Sequence, residues 1–147
     1  MRVRKWGEGR LGKKVYNTLM PYSSNIERDT LANENFRTVV YTAPHSQIVL
    51  MCLQSGEEIG AETHAKVDQF FRFEQGTGKA VLAGKEYPIA NGSAILVPAG
   101  TEHNIINTGA KKMKMYTIYS PANHIDGRVH VTKADAEKDV EDEAFGK

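Results

Sequence analysis

The clearest alternation of polar and apolar positions lies at Gln69-Phe70-Phe71-Arg72-Phe73-Glu74. A strand turns successive side chains to opposite faces, so Gln69, Phe71 and Phe73 share one face while Asp68, Phe70, Arg72 and Glu74 share the other. The charges mark the second set as outward, which leaves Gln69 inside with the aromatics and makes Asp68 the poorer ligand. Ile48-Val49-Leu50-Met51-Cys52-Leu53 does not alternate and predicts a strand covered on both faces. A single barrel has only one interior face, so the outer cover is expected from a neighbouring subunit or from the N-terminal arm. A homodimer through this sheet follows as an expectation.

Further strand-like runs are Thr38–Tyr41, Lys79–Leu82, Glu86–Ile89, Ala94–Val97 and Met113–Tyr119. Turn signals stand between them at Pro44, Gly76-Thr77-Gly78, Gly84, Asn91-Gly92 and Asp126-Gly127, and Asn-Gly is a strong hairpin signal. Many short strands with such spacing predict an all-β antiparallel sandwich or barrel. Helices are predicted at the two ends. One runs from Asn25 to Asn33, capped by Ser23 or Ser24 with Glu27 in its first turn; the other is capped by Thr132 and continues through Glu143. The chain divides accordingly into an arm and short helix over residues 1–36, a barrel over 37–131 and a helical tail over 132–147. It shows no internal repeat and no low-complexity linker.

Composition sets limits on this picture. The sequence of 147 residues suits one domain with a real core. A formal net charge of +1 argues against a nucleic-acid surface spread over the molecule. Arg2, Arg4, Lys5, Arg10, Lys13 and Lys14 crowd the start and Asp135 to Glu143 is mainly acidic, which reads as solvated arms touching the same chain or its symmetry mate. No apolar run resembles a signal peptide or a membrane span. With Cys52 as the single cysteine, a cytoplasmic setting is expected, and Cys52 reads as a small buried hydrophobe.

The chemistry starts at Gly92–Asn107. The strand Ala94–Val97 is broken by Pro98-Ala99-Gly100, because proline cannot donate to a central ladder and glycine readily takes positive φ. His103 emerges just past the turn, where an imidazole serves as a metal ligand or an acid/base group. The intervals from Gly92 through Pro98, Gly100 and His103 to Asn107 match the second motif of the cupin family at every fixed position. Upstream, Gly56, Glu62, His64, Gln69 and Gly76 fall at the spacing of the first cupin motif. There Glu62 stands where a histidine is usual, and Gln69 replaces a glutamate. The chain therefore resembles a small single-domain cupin over roughly residues 45 to 120.

The resemblance implies a double-stranded β-helix, that is, a jelly-roll barrel, with a metal site built from Glu62, His64, Gln69 and His103. Two histidines and one carboxylate are the donor set of non-haem iron facial triads, and zinc, manganese, nickel and cobalt suit it equally. The carboxylate has moved within the set rather than vanished, so a divalent ion still gives a site of net charge +1. Gln69 is the weakest donor and could hydrogen-bond a metal-bound water instead. Glu62 doubles as a general base, and the Tyr119 hydroxyl is placed to reach substrate.

Phe71, Phe73, Ile105, Met115, Tyr119 and Tyr87 are candidates for lining an apolar pocket, although core packing is the simpler role for most. Asn107 is expected to hydrogen-bond backbone. His45, His124 and His130 lie near turns and fit neither motif, so they are placed on the surface, with His124 a candidate at the barrel mouth. The function expected is a metal-dependent enzyme, oxidative or Lewis-acid in type, acting on a small organic substrate. The alternative is a binding or sensor module without turnover.

Overall fold

The computed structural model describes residues 7–8, 14–15 and 20–147. The expected basic arm lies almost wholly outside the described residues. Its two short strands, β1 (Gly7–Glu8) and β2 (Lys14–Val15), pair antiparallel. Helix α1 spans Ile26–Ala32. The barrel strands follow as β3 (Arg37–Thr42), β4 (Gln47–Leu53), β5 (Asp68–Gln75), β6 (Gly78–Leu82), β7 (Lys85–Ile89), β8 (Ala94–Val97), β9 (His103–Asn107), β10 (Met113–Ser120) and β11 (Val129–His130). Helices α2 (Lys133–Lys138) and α3 (Val140–Phe145) complete the chain.

Two antiparallel sheets build the jelly-roll barrel. One has the order β11-β3-β4-β10-β5-β8, the other β7-β6-β9. The register puts Thr117 of β10 between Val49 of β4 and Phe71 of β5, and Met115 between Met51 and Phe73. These inward residues form the core with Phe36, Ile105, Met113 and Tyr119, all buried. The parity expected for β5 holds: Gln69, Phe71 and Phe73 are buried, and Asp68 is exposed.

The unbroken apolar run in β4 has a local explanation. Leu50 and Cys52 face away from the barrel interior and are nevertheless buried. Helix α1 packs over β10 and β5, and Lys114, cross-strand partner of Cys52, donates to the Leu31 carbonyl at its end (2.7 Å). Part of the outer cover thus comes from the chain itself, so the missing alternation does not by itself require a second subunit.

Both terminal helices differ in detail from expectation. The cap of α1 is Asn25, whose Oδ1 accepts from Arg28 N, in place of Ser23 or Ser24. The C-terminal helix is two helices. Thr132 and Asp135 form a capping box on α2, but Asp139 then leaves helical geometry and caps α3 by accepting from Asp142 N. Its carboxylate is also held by Arg128 and His130, each at 2.8 Å, so side-chain bonding competes with helix continuation there. No described helix is long and apolar enough to cross a membrane.

Candidate metal centre

β9 begins at His103 because the preceding turn ends the β8 strand. Gly100 sits in that turn at φ +83°, a conformation that favours glycine. Glu62 and His64, two apart in sequence as on one face of a strand, do not lie on a regular strand. They belong to an irregular segment bonded along the edge of β9: Ile59 N donates to Ile105 O, Glu62 and His103 bridge through their backbones, and Gly100 N donates to His64 O. The result is the same: Glu62, His64 and His103 each bring one ligand atom into a cluster whose members lie within 4.8 Å of one another. Gln69 reaches this cluster from the inward face of β5.

The Glu62 carboxylate Oε2 stands 3.3 Å from His64 Nε2 and 3.9 Å from His103 Nε2. Gln69 Oε1 stands 3.1 Å from His103 Nε2. Ligand atoms about 2.1 Å from a tetrahedral ion lie about 3.4 Å apart, so these edges suit a first-row divalent metal. Proton accounting points the same way. His103 Nδ1 donates to the Thr101 carbonyl (2.9 Å), which leaves Nε2 as a lone pair. Gln69 Nε2 donates to Thr117 Oγ1 (3.0 Å), which aims its carbonyl oxygen, another lone pair, at the same point. His64 Nε2 is buried and makes no hydrogen bond among the described residues, although it faces Glu62. Lone pairs of Glu62, Gln69 and His103 thus converge beside His64 Nε2, a donor set that a cation would satisfy. The His103–Thr101 bond is the backbone-carbonyl support that commonly orients a metal-binding imidazole.

The electrostatics favour the unprotonated forms of Glu62 and His103. Burial pushes the Glu62 carboxyl up, but the His64 contact and the charges of His64, Arg37 and His103 outweigh it and hold it below its ordinary value. Burial pushes His103 down, against the opposing pull of Thr101 O and Glu62. Glu62 is the most open of the set, with about a third of its side chain exposed (34%), whereas His103 is buried.

Tyr119 stands beside the cluster but is tied elsewhere. Its ring packs edge-on against His64, and its hydroxyl donates to His124 Nε2 (3.1 Å), whose Nδ1 donates to Asp142 Oδ2 (2.7 Å). Burial raises the phenol and keeps it protonated. The expected surface position of His124 and His130 is therefore wrong: both are buried, because α2 and α3 fold back over the barrel and bring Asp142 and Asp139 to them. His45 is exposed, as expected. Asn107 bonds backbone as expected, donating to Leu53 O, Gln54 O and Lys111 O and accepting from Gly109 N.

The open space also differs from the expected aromatic pocket. Phe71, Phe73, Ile105, Met115 and Tyr119 fill the core, and Tyr87 lies on the surface of β7. The cleft of about 400 Å³ lies at the barrel mouth, between the Glu62–His64 segment and the C-terminal helices. Arg37, His124 and Asp142 line it; His124 was the expected candidate at the barrel mouth, whereas Arg37 and Asp142 were not singled out from the sequence. For Arg37 a signal existed: it takes the same inward parity in β3 as Val39.

Comparison with known proteins agrees with this architecture. The family model described as Cupin domain matches residues 49–119. The chain is 50% identical over 123 residues to Uncharacterized protein YrkC of Bacillus subtilis (strain 168), covering 79% of this chain and 66% of that protein, just under two thirds of its length. It is 41% identical over 124 residues to an uncharacterized protein of Acanthamoeba polyphaga mimivirus, covering 81% of this chain and 77% of that one. A Bacillus halodurans crystal structure superposes with a TM-score of 0.79 at 42% identity, covering 80% of this chain and 94% of that chain. With both spaced motifs on one barrel mouth and these relatives alongside, the chain belongs to the cupin domain family.

Proposed function

We propose that the chain is a metal-dependent enzyme that acts on a small organic molecule in the cleft at the barrel mouth. The observation that carries this reading is the convergence of the Glu62, His64, Gln69 and His103 side chains beside that cleft. Glu62, His64 and His103 would hold the ion, with Gln69 as the weak fourth donor. A divalent iron, zinc, manganese, nickel or cobalt ion supplies Lewis acidity toward a substrate oxygen, or redox chemistry.

The chain's own residues supply positioning and proton transfer. Thr101 O and Gln69 fix the His103 ring. Both imidazoles face Glu62 Oε2, which leaves Oε1 of the same partly exposed carboxylate to take a proton from substrate. The Tyr119 phenol holds its proton and passes its hydrogen bond to His124, which fixes the wall of the cleft beside His64.

The test is turnover. Small oxo acids, hydroxy acids and sugars are incubated with the protein, with proton NMR in deuterated water and an oxygen electrode as readouts, before and after chelation. The reading expects conversion that disappears on chelation and in His103→Ala. Conversion that survives both contradicts it, and oxygen consumption separates oxidation from Lewis-acid chemistry.

A further inference from the structure

Arg37 lies on the inward face of β3, in register with Met51, and is buried at 7% exposure in the wall of the cleft. A buried cation is costly unless an anion and hydrogen bonds compensate it. Arg37 has no carboxylate within ion-pair distance among the described residues. Its Nη1 donates to His130 Nδ1 (3.2 Å), which as the acceptor is neutral, and its Nε has no hydrogen-bond partner. The Phe36 ring, 5.2 Å from the guanidinium carbon, adds only a cation–π contact.

The acidic residues of the cleft act on Arg37 only at longer range, none within ion-pair distance. Asp142 spends one oxygen on His124 Nδ1 and the other on Ile125 N (2.7 Å). Glu143 pairs with Lys147, Glu62 faces the two imidazoles, and Glu137 and Lys133, which also line the cleft, make no ion pair with Arg37 or with each other. Arg37 is therefore a buried cation with no ion-pair partner in contact among the described residues, and its planar donor edge matches a carboxylate.

We propose that the cleft binds a small carboxylate, with Arg37 as the residue that receives the carboxylate group. This deepens the metal-enzyme reading and rests on it for the second end of the molecule, the oxygen presented to the metal cluster. A volume of about 400 Å³ limits the ligand to a small one. One carboxylate group meets the Arg37 guanidinium, and a second oxygen-bearing group on the same small molecule is left for the metal cluster; phosphate, with its charge on one centre, offers only the first contact.

The probes are malonate, its neutral counterpart malonamide, and inorganic phosphate, titrated calorimetrically into the full chain after chelation and again after zinc loading. Malonate is expected to bind the chelated protein, with about tenfold or greater weakening in Arg37→Gln, the loss of a charge-assisted contact. Arg37→Lys, which keeps the charge and the fold but loses the planar edge, is expected to weaken it less. Equal malonate affinity in both variants overturns the proposal, as does binding of malonamide or phosphate as tight as that of malonate. Zinc is expected to tighten malonate in the wild type but not in His64→Ala/His103→Ala. Should zinc have no effect while the Arg37 dependence stands, the metal-enzyme reading fails and the carboxylate site survives; zinc tightening without Arg37 dependence is the reverse failure.

Discussion

Glu62 and His103 exchange both backbone hydrogen bonds, N–H to carbonyl at 2.9 Å in each direction. Two candidate ligands far apart in sequence are thus fixed to each other by main chain rather than by their side chains. Gly100 N adds a third tie at 2.8 Å to the His64 carbonyl. The cluster geometry is built before any ion arrives, and truncating an imidazole leaves the backbone pairing that supports it.

Asn107 closes the far end of the same strand. Its fully buried amide serves three carbonyls and accepts from Gly109 N. Asn107→Ala strands those groups without solvent and is expected to cost about 2–4 kcal/mol. Urea unfolding of the variant measures it; a loss below about 1 kcal/mol would contradict the account.

Two glycines separate crowding from backbone strain. At Gly78 a Cβ would lie 2.1 Å from the Ile106 carbonyl oxygen and 2.5 Å from Met113 Cε, between β6 and β9. At Gly100 the space is open and only the positive φ opposes a side chain. Gly78→Ala is expected to cost more than about 3 kcal/mol, and Gly100→Ala about 1–2 kcal/mol. Thermal denaturation of the pair gives the order directly.

Acid is expected to destabilise the metal-free protein in steps. Burial pushes the His124 imidazole down against the pull of Asp142, so unfolded chains bind a proton near the ordinary value of about 6.5 while the folded one resists. Stability is therefore present at neutral pH and falls as pH drops through that value, and His103 contributes with the same sign. Asp142 follows at lower pH: burial pushes its carboxyl up, but His124 and Ile125 N outweigh it and hold it below 3.8. Glu34, held at about 2 by Lys112 and Lys114, adds a loss as pH falls from 4.5 toward that value. Urea midpoints after chelation should decline from pH 7 to 5 and again below 4.5; a flat profile from 7 to 5 is the contrary result.

Legibility followed locality. The inward parity of Gln69, Phe71 and Phe73 was readable because a strand's own alternation settles it. The Pro98–Gly100 turn and the position of His103 behind it were readable because the backbone chemistry of those residues demands a break. His124, His130 and Asp142 were not, since their burial depends on a C-terminal segment folding back across the barrel. Asp142 reads as one charge in an acidic tail until that packing is seen. β4 announced that both of its faces were covered, but its residues could not name α1 as part of the cover. Arg37 was in view, inward beside Val39, and went unread because the adjoining apolar residues dominated the pattern.

Elemental analysis of protein purified without a histidine tag tests the central claim most directly. The account predicts about one divalent transition-metal ion per chain, and near-complete loss in His64→Ala/His103→Ala with the circular dichroism of a folded barrel retained. Full metal content in that folded double variant would contradict it.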